Sequence, residues 1–102
     1  MKYHEIEAEV YYLTTEEGGR KNGVLNGYRG QFHYDGGDHD GGQFFPDFLE
    51  NEMIELGSIV SVLIRFPQRQ WDEIHSGRIK IGMSFFVREG AKVVGRGRVK
   101  RV

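Results

Sequence analysis

Between residues 5 and 13 the chain alternates strictly, with Glu5, Glu7 and Glu9 on one side and Ile6, Ala8, Val10 and Tyr12 on the other. A helix returns a side chain to the same face every third or fourth residue, so a period of two can bury its apolar set only as a strand with one dry and one wet side. The same period returns after a connector. Glycine and asparagine crowd residues 16–27, where backbone entropy and turn geometry oppose a helix. From there Tyr28, Gly30, Phe32 and Tyr34 oppose Arg29, Gln31 and His33, which predicts a second strand over 28–34. The aspartate and glycine run at 35–42 ends it, and residues 43–45 suit a short third strand. Phe44, Phe45, Phe48 and Leu49 around Pro46 suggest an apolar corner, followed by room for one helical turn over 50–55.

In the stretch 58–66, Val60, Val62, Ile64 and Phe66 share one face and Ile59, Ser61, Leu63 and Arg65 the other. Both faces are mostly apolar, so this strand is expected to be buried on both sides. Residues 79–88 and 92–102 are predicted as a last hairpin turning at Glu89, Gly90 and Ala91. About six short strands between turns, with no long helical period, predict a small closed antiparallel β-barrel, whose closure removes exposed edges. Its expected core includes Val10, Phe32, Val62, Ile64, Phe85 and Val87.

The 102 residues are expected to form one domain, with no room for a GTPase domain. The net charge of −1 is unevenly divided: residues 1–50 hold 4 basic and 10 acidic side chains, residues 51–102 hold 10 and 5. A polyanion would favour the second half. With no cysteine there is neither a disulfide framework nor a thiolate metal site. No apolar stretch has the length of a signal peptide or a membrane span, and the expected setting is the cytoplasm.

The motifs that could carry chemistry mostly have simpler readings. Gly90 and Gly95 imitate a phosphate-loop spacing, but Arg96 and Gly97 stand where a lysine and a hydroxyl are needed, and nucleotide binding is not expected. Gly95 and Gly97 more simply relieve crowding on a strand. Asp35, Asp38, His39 and Asp40 could ligate a divalent ion, yet the twelfth position counted from Asp35 is Pro46 rather than a glutamate, and a solvated turn accounts for them. His4, His33, His39 and His75 have no serine or cysteine in a nucleophile setting, and Glu16 with Glu17 opens a turn in which acids commonly cap backbone. Neither catalysis nor a cofactor is expected. Arg96, Arg98 and Lys100 share one face of the last strand, where they either meet phosphate or pair across strands with the acidic first strand.

Two blocks go further. Glu16-Glu17-Gly18-Gly19-Arg20, followed by Asn26-Gly27-Tyr28-Arg29 and Gln31-Phe32, resembles the start of the C-terminal barrel, the third domain, of bacterial elongation factor Tu. Phe85, Val87, Arg88, Glu89, Gly90, Val94, Gly95 and Gly97 are similar to that domain's final hairpin, residues 53–57 to its turn before the fourth strand, and residues 6–13 to its first strand. The resemblance implies an all-β barrel that is not an enzyme, which in the family packs on a second barrel and the GTPase domain, touches the T stem of aminoacyl-tRNA and faces the exchange factor. It matches RNA-facing positions at Arg20, Gln31 and Gly90, puts Arg65 where the family has a basic residue before proline, and has Lys21 in place of a histidine. Arg20, Lys21, Gln31, Arg65 and Gly90 are therefore expected to converge on tRNA or another structured RNA. The alternative implied partner is a protein of the translation machinery, engaged without RNA. The chain departs from the pattern at Gly30 and at Leu56-Gly57-Ser58, where the family has prolines, in the acidic loop 35–40, and at 67–78, which is longer than the family's loop and carries the only tryptophan, Trp71.

Overall fold

The alternating first strand is an interior strand of the sheet. In a computed structural model that describes residues 2–102, β1 (Tyr3–Tyr12) pairs antiparallel with β5 (Ile59–Pro67) on one side and β7 (Lys92–Arg101) on the other. The remaining strands are β2 (Gln31–Tyr34), β3 (Gly37–His39), β4 (Gly42–Phe44) and β6 (Ser84–Glu89), in the spatial order β3-β2-β6-β7-β1-β5-β4. The two ends of that order, β3 and β4, are consecutive in the chain and separated only by Asp40 and Gly41. The sheet therefore curls and brings its two ends close. Gln43 donates its N–H to the Tyr28 carbonyl and accepts from the Gly27 N–H, both at 2.8 Å, tying β4 to the lead-in of β2. The fold is thus all-β, a seven-stranded antiparallel sheet curled into a half-barrel, one strand more than the about six that the alternating runs predict.

The core is filled by the inward residues of every wall. All six expected core residues are buried, and Phe32 stacks on Phe85 at 4.4 Å and meets Phe66 edge-on at 5.2 Å. Gly97 makes this packing possible, because a Cβ there would lie 2.5 Å from Phe85 Cζ and 2.6 Å from the Glu9 carbonyl oxygen. The crowding explanation for this glycine holds.

Five expectations need correction. β5 is buried on one face only, and Ile59 is 69% exposed, because a single-layer barrel wall has water on its outer side. Residues 50–55 contain no helical turn; instead Ile54 forms an extended bridge with Val24, which closes the connector over the core. The loop 35–42 contains β3, reached through a tight turn at Asp35 (φ 49°) and Gly36 (φ 76°), the backbone signs of a hairpin turn that continues the strand twist. β2 begins at Gln31 and β6 at Ser84, each later than the alternation suggests.

The last correction concerns 67–78, which is helical for two turns. Proline fixes the φ at Pro67, where a helix needs no donor, and α1 (Gln68–Gln70) runs into a π-helical turn at Trp71–His75. Trp71 and His75, one turn apart, face the barrel together and are both buried. Trp71 stacks on His4 at 3.7 Å and packs near Phe66. The segment plugs one end of the barrel.

Candidate functional site

The connector that precedes β2 is shaped by a small turn. Glu17 accepts from the Thr14 N–H at 2.9 Å and from the Tyr11 hydroxyl at 2.6 Å, and these bonds, the Tyr11 one first, hold its carboxyl below the usual range. Glu17 is thereby a turn clamp. The path then carries Arg20 across to the β6–β7 hairpin, where its guanidinium pairs with Glu89 and lies 4.8 Å from the centre of the Tyr28 ring. The Tyr28 hydroxyl donates to the same Glu89 carboxylate. Partial burial pushes Glu89 up, but the bonds from Tyr28 and Arg20 outweigh it and the carboxyl stays low. Burial and the Glu89 charge raise Tyr28.

Next to this lock, Glu89 and Lys92 pair across a turn at Gly90, whose φ is +61° and whose Cα faces open space. Bare backbone is presented there. Gln31 stands opposite Arg88 on the neighbouring wall and donates to Asp40 at 3.4 Å. The acidic loop is largely answered by local donors: His33 meets Asp38 at 2.7 Å, Arg88 reaches Asp38 at 3.5 Å, and Arg78 reaches Asp35 at 3.4 Å. Asp35 and Asp38 thus each have a guanidinium partner, while Asp40 is met by the neutral Gln31 amide.

Of the five residues the sequence singles out, Arg20, Gln31 and Gly90 come together at this end of the barrel, and Lys21 stands beside Arg20, exposed and without a salt bridge among the described residues. Arg65 is set apart. It lies on β5 beyond β4, bonded to Glu5 at 2.8 Å and stacked over Phe44 at 4.2 Å. The connection between the two parts is the chain at 40–42: Asp40 faces Gln31, and Gly42 pairs with Arg65. A groove of about 410 Å³ there is lined by Tyr3, Arg29, Asp40, Phe44 and Arg65, among others. Arg29 was overlooked as a site residue, although its place on the wet face of the predicted second strand signalled an outward cation. Among the described residues it has no carboxylate partner.

The basic stripe of the last strand proves to be mostly a cross-strand ladder. Lys100 bonds Glu9 at 2.8 Å, Arg101 approaches Glu7 at 3.9 Å, and Arg96 lies over the Tyr11 ring at 4.7 Å. Only Arg98 of this group lacks such a partner among the described residues. Chemically, the hairpin end offers cations, an amide and open backbone, the equipment for holding an anionic chain by its backbone. A family model described as the elongation factor Tu C-terminal domain matches residues 1–102.

Proposed function

The chain belongs to the elongation factor Tu C-terminal domain family, and on that premise we propose that it is a non-catalytic binding module whose hairpin end contacts the sugar-phosphate backbone of tRNA or another structured RNA. Arg20, Lys21, Gln31, Gly90 and, across the groove, Arg65 form the contact surface, with Arg29 between its two parts. The observation that carries this reading is the meeting of Arg20 with the Glu89–Gly90 turn across a sequence separation of 69 residues, with Gln31 on the adjoining wall. The Arg20–Glu89 pair reduces the free charge of Arg20 and fixes its position. Lys21 and Arg29 are then the cations with most to gain from a phosphate, because neither gives up a carboxylate to bind one. Gly90 lets an RNA backbone approach where a side chain would stand in the way. The reading places the protein in the cytoplasm with the translation machinery; no helix of the structure is long and apolar enough to cross a membrane.

Titrating tRNA into the protein while varying salt tests this. Binding should weaken with salt, and Lys21→Ala and Arg29→Ala should each lower the slope of log affinity against log salt by about one unit. Absence of binding at low salt sinks the RNA reading. The translation-protein alternative then stands, favoured by exposed Ile59 and Phe86 at the two ends of an outer row that also holds Arg96 and the half-buried Tyr11.

A further inference from the structure

The outer face of the four adjoining strands β5, β1, β7 and β6 carries two cross-strand rows set by register. One row reads Ile59, Tyr11, Arg96 and Phe86, and the next reads Ser61, Glu9, Arg98 and Ser84. Ile59 is 69% exposed and Phe86 47%, so the first row ends in large apolar groups left in water. The serines of the second row are short, and a trough of about 640 Å³ opens between the rows over the backbone of Gly97. Three cations border it, Arg96, Arg98 and Lys100, against one carboxylate, Glu9, which Lys100 already holds at 2.8 Å. Arg96 spends itself on the Tyr11 ring and Arg98 has no acidic partner among the described residues.

We propose that this trough docks an extended acidic segment of a partner protein, with carboxylates meeting Arg98 and Arg96 and aliphatic side chains seated on Phe86 and Ile59. Three inter-strand steps of about 4.8 Å make the trough roughly 14 Å long, which four residues of extended peptide span at about 3.3 Å each. The charge selects the partner's sign. The apolar ends select its class: Ile59 offers an RNA neither a stacking plane nor a hydrogen bond, whereas exposed aliphatic and aromatic groups beside an arginine are what a protein interface buries at its centre. A second copy of the same face is disfavoured, because a two-fold contact would bring the Arg96 and Arg98 set of one copy against the same set of the other.

The test uses a fluorescein-labelled synthetic peptide of about eight residues that alternates leucine and aspartate, long enough to overrun the roughly 14 Å trough. Its controls are the same peptide with lysine for aspartate, a hexaglutamate and an oligouridine, all read by fluorescence anisotropy. The leucine–aspartate peptide should bind saturably, and the lysine peptide and hexaglutamate should bind at least about tenfold more weakly. Arg98→Glu and Phe86→Ser should each cost about tenfold or more in affinity with the melting temperature unchanged, since both side chains are exposed, while Lys21→Glu should leave the affinity as it is. Hexaglutamate or oligouridine binding as tightly and losing affinity in Arg98→Glu would overturn the proposal in favour of a general anion surface. A concentration-dependent mass that Phe86→Ser abolishes would overturn it in favour of self-association. Absence of saturable binding at millimolar peptide would overturn it outright.

Discussion

His75 should make the barrel lose stability in mild acid. Its ring is 0% exposed and is enclosed by Tyr34 from β2, His39 from β3, Phe66 from β5, Trp71 and Gln70 from the helical segment, and Arg78 from the turn that follows. The hydrogen bonds fix the neutral form. The Gln70 amide nitrogen donates to the Asp40 carbonyl at 3.1 Å and faces His75 Nε2 at 3.0 Å, so Nε2 must accept, which leaves the proton on Nδ1 to be donated to the Tyr34 oxygen at 2.5 Å. A second proton on Nε2 would face the Gln70 donor. Burial, then the neighbouring His39 and Arg78, lowers the His75 pKa from 6.5 to about 4.

The unfolded chain therefore takes up a proton before the folded one does. The stabilising effect is complete above the unfolded value, declines as pH falls below 6.5, and stops changing below about 4. Between about pH 7.5 and pH 5 the loss amounts to about 2 kcal/mol, a sizeable part of a total stability of order 5 to 15 kcal/mol. His4 and His39 are lowered too, each first by burial, and add loss in the same direction. Carboxylates held low, such as Glu17 and Glu89, matter only at more acidic pH. Urea unfolding followed by the fluorescence of Trp71, the only tryptophan, measures the effect. His75→Phe should be less stable at neutral pH, because Tyr34 loses its partner, but its change between the two pH values should be smaller than that of the parent by about 2 kcal/mol. Equal pH dependence in the two proteins would refute the assignment.

Phe85→Ala should cost on the order of 3 to 5 kcal/mol, since it removes a ring stacked on Phe32 and edged by the inward walls; an unchanged melting temperature would show the register to be wrong. Gly97→Val should destabilise by roughly 1 to 3 kcal/mol or prevent folding, because one of the atoms in its way is the Glu9 backbone oxygen, which cannot swing aside as a side chain can; chemical denaturation reads this directly. Asp35→Val should cost about 1 to 2 kcal/mol, as a β-branched residue resists the positive φ that aspartate tolerates, whereas Asp35→Asn should be nearly neutral in the same measurement.

The parts of this fold legible in the sequence are those in which side-chain chemistry and side-chain direction agree. β1 was readable because Glu5, Glu7 and Glu9 lie on its outer face while Ile6, Ala8, Val10 and Tyr12 are all buried in the core. β5 was misread on its outer side because an exposed Ile59 looks no different, as a letter, from a buried one; a hydrophobic residue is not by itself a burial signal. The helical plug escaped because its buried set is only Trp71 and His75, a single pair one turn apart, too short to register as a period. β3 was hidden by its own turn, since Asp35 and Gly36 read as loop while the strand they launch, Gly37–His39, contains a glycine and an aspartate. At the hairpin end, the basic and amide positions could be named in advance, but not the partner that fixes Arg20, because no local pattern connects Arg20 and Tyr28 to Glu89.

The uneven distribution of charge along the chain invites the idea of a basic half that attracts polyanions, and the topology shows why that idea does not carry over to the surface. The acid-rich first strand lies between β5 and β7, both from the basic half, so Glu5, Glu7 and Glu9 face Arg65, Arg101 and Lys100 across the walls. Each such exposed pair is worth only tenths of a kcal/mol to about 1 kcal/mol, and its larger effect is to cancel the field of both partners beyond a Debye length of about 8 Å. Two of the loop acids are answered in the same manner, Asp38 by Arg88 and Asp35 by Arg78. Attraction for an anion therefore depends on cations without a carboxylate partner among the described residues, and three of these belong to the surfaces at issue: Lys21 beside Arg20, Arg29 in the groove shared with Arg65, and Arg98 in the trough of the outer sheet. An RNA backbone and an acidic peptide would compete poorly for each other's place, because the first surface adds open backbone and an amide while the second adds Phe86 and Ile59. What surrounds each unpaired cation, rather than the sum of charges, sets which partner it selects.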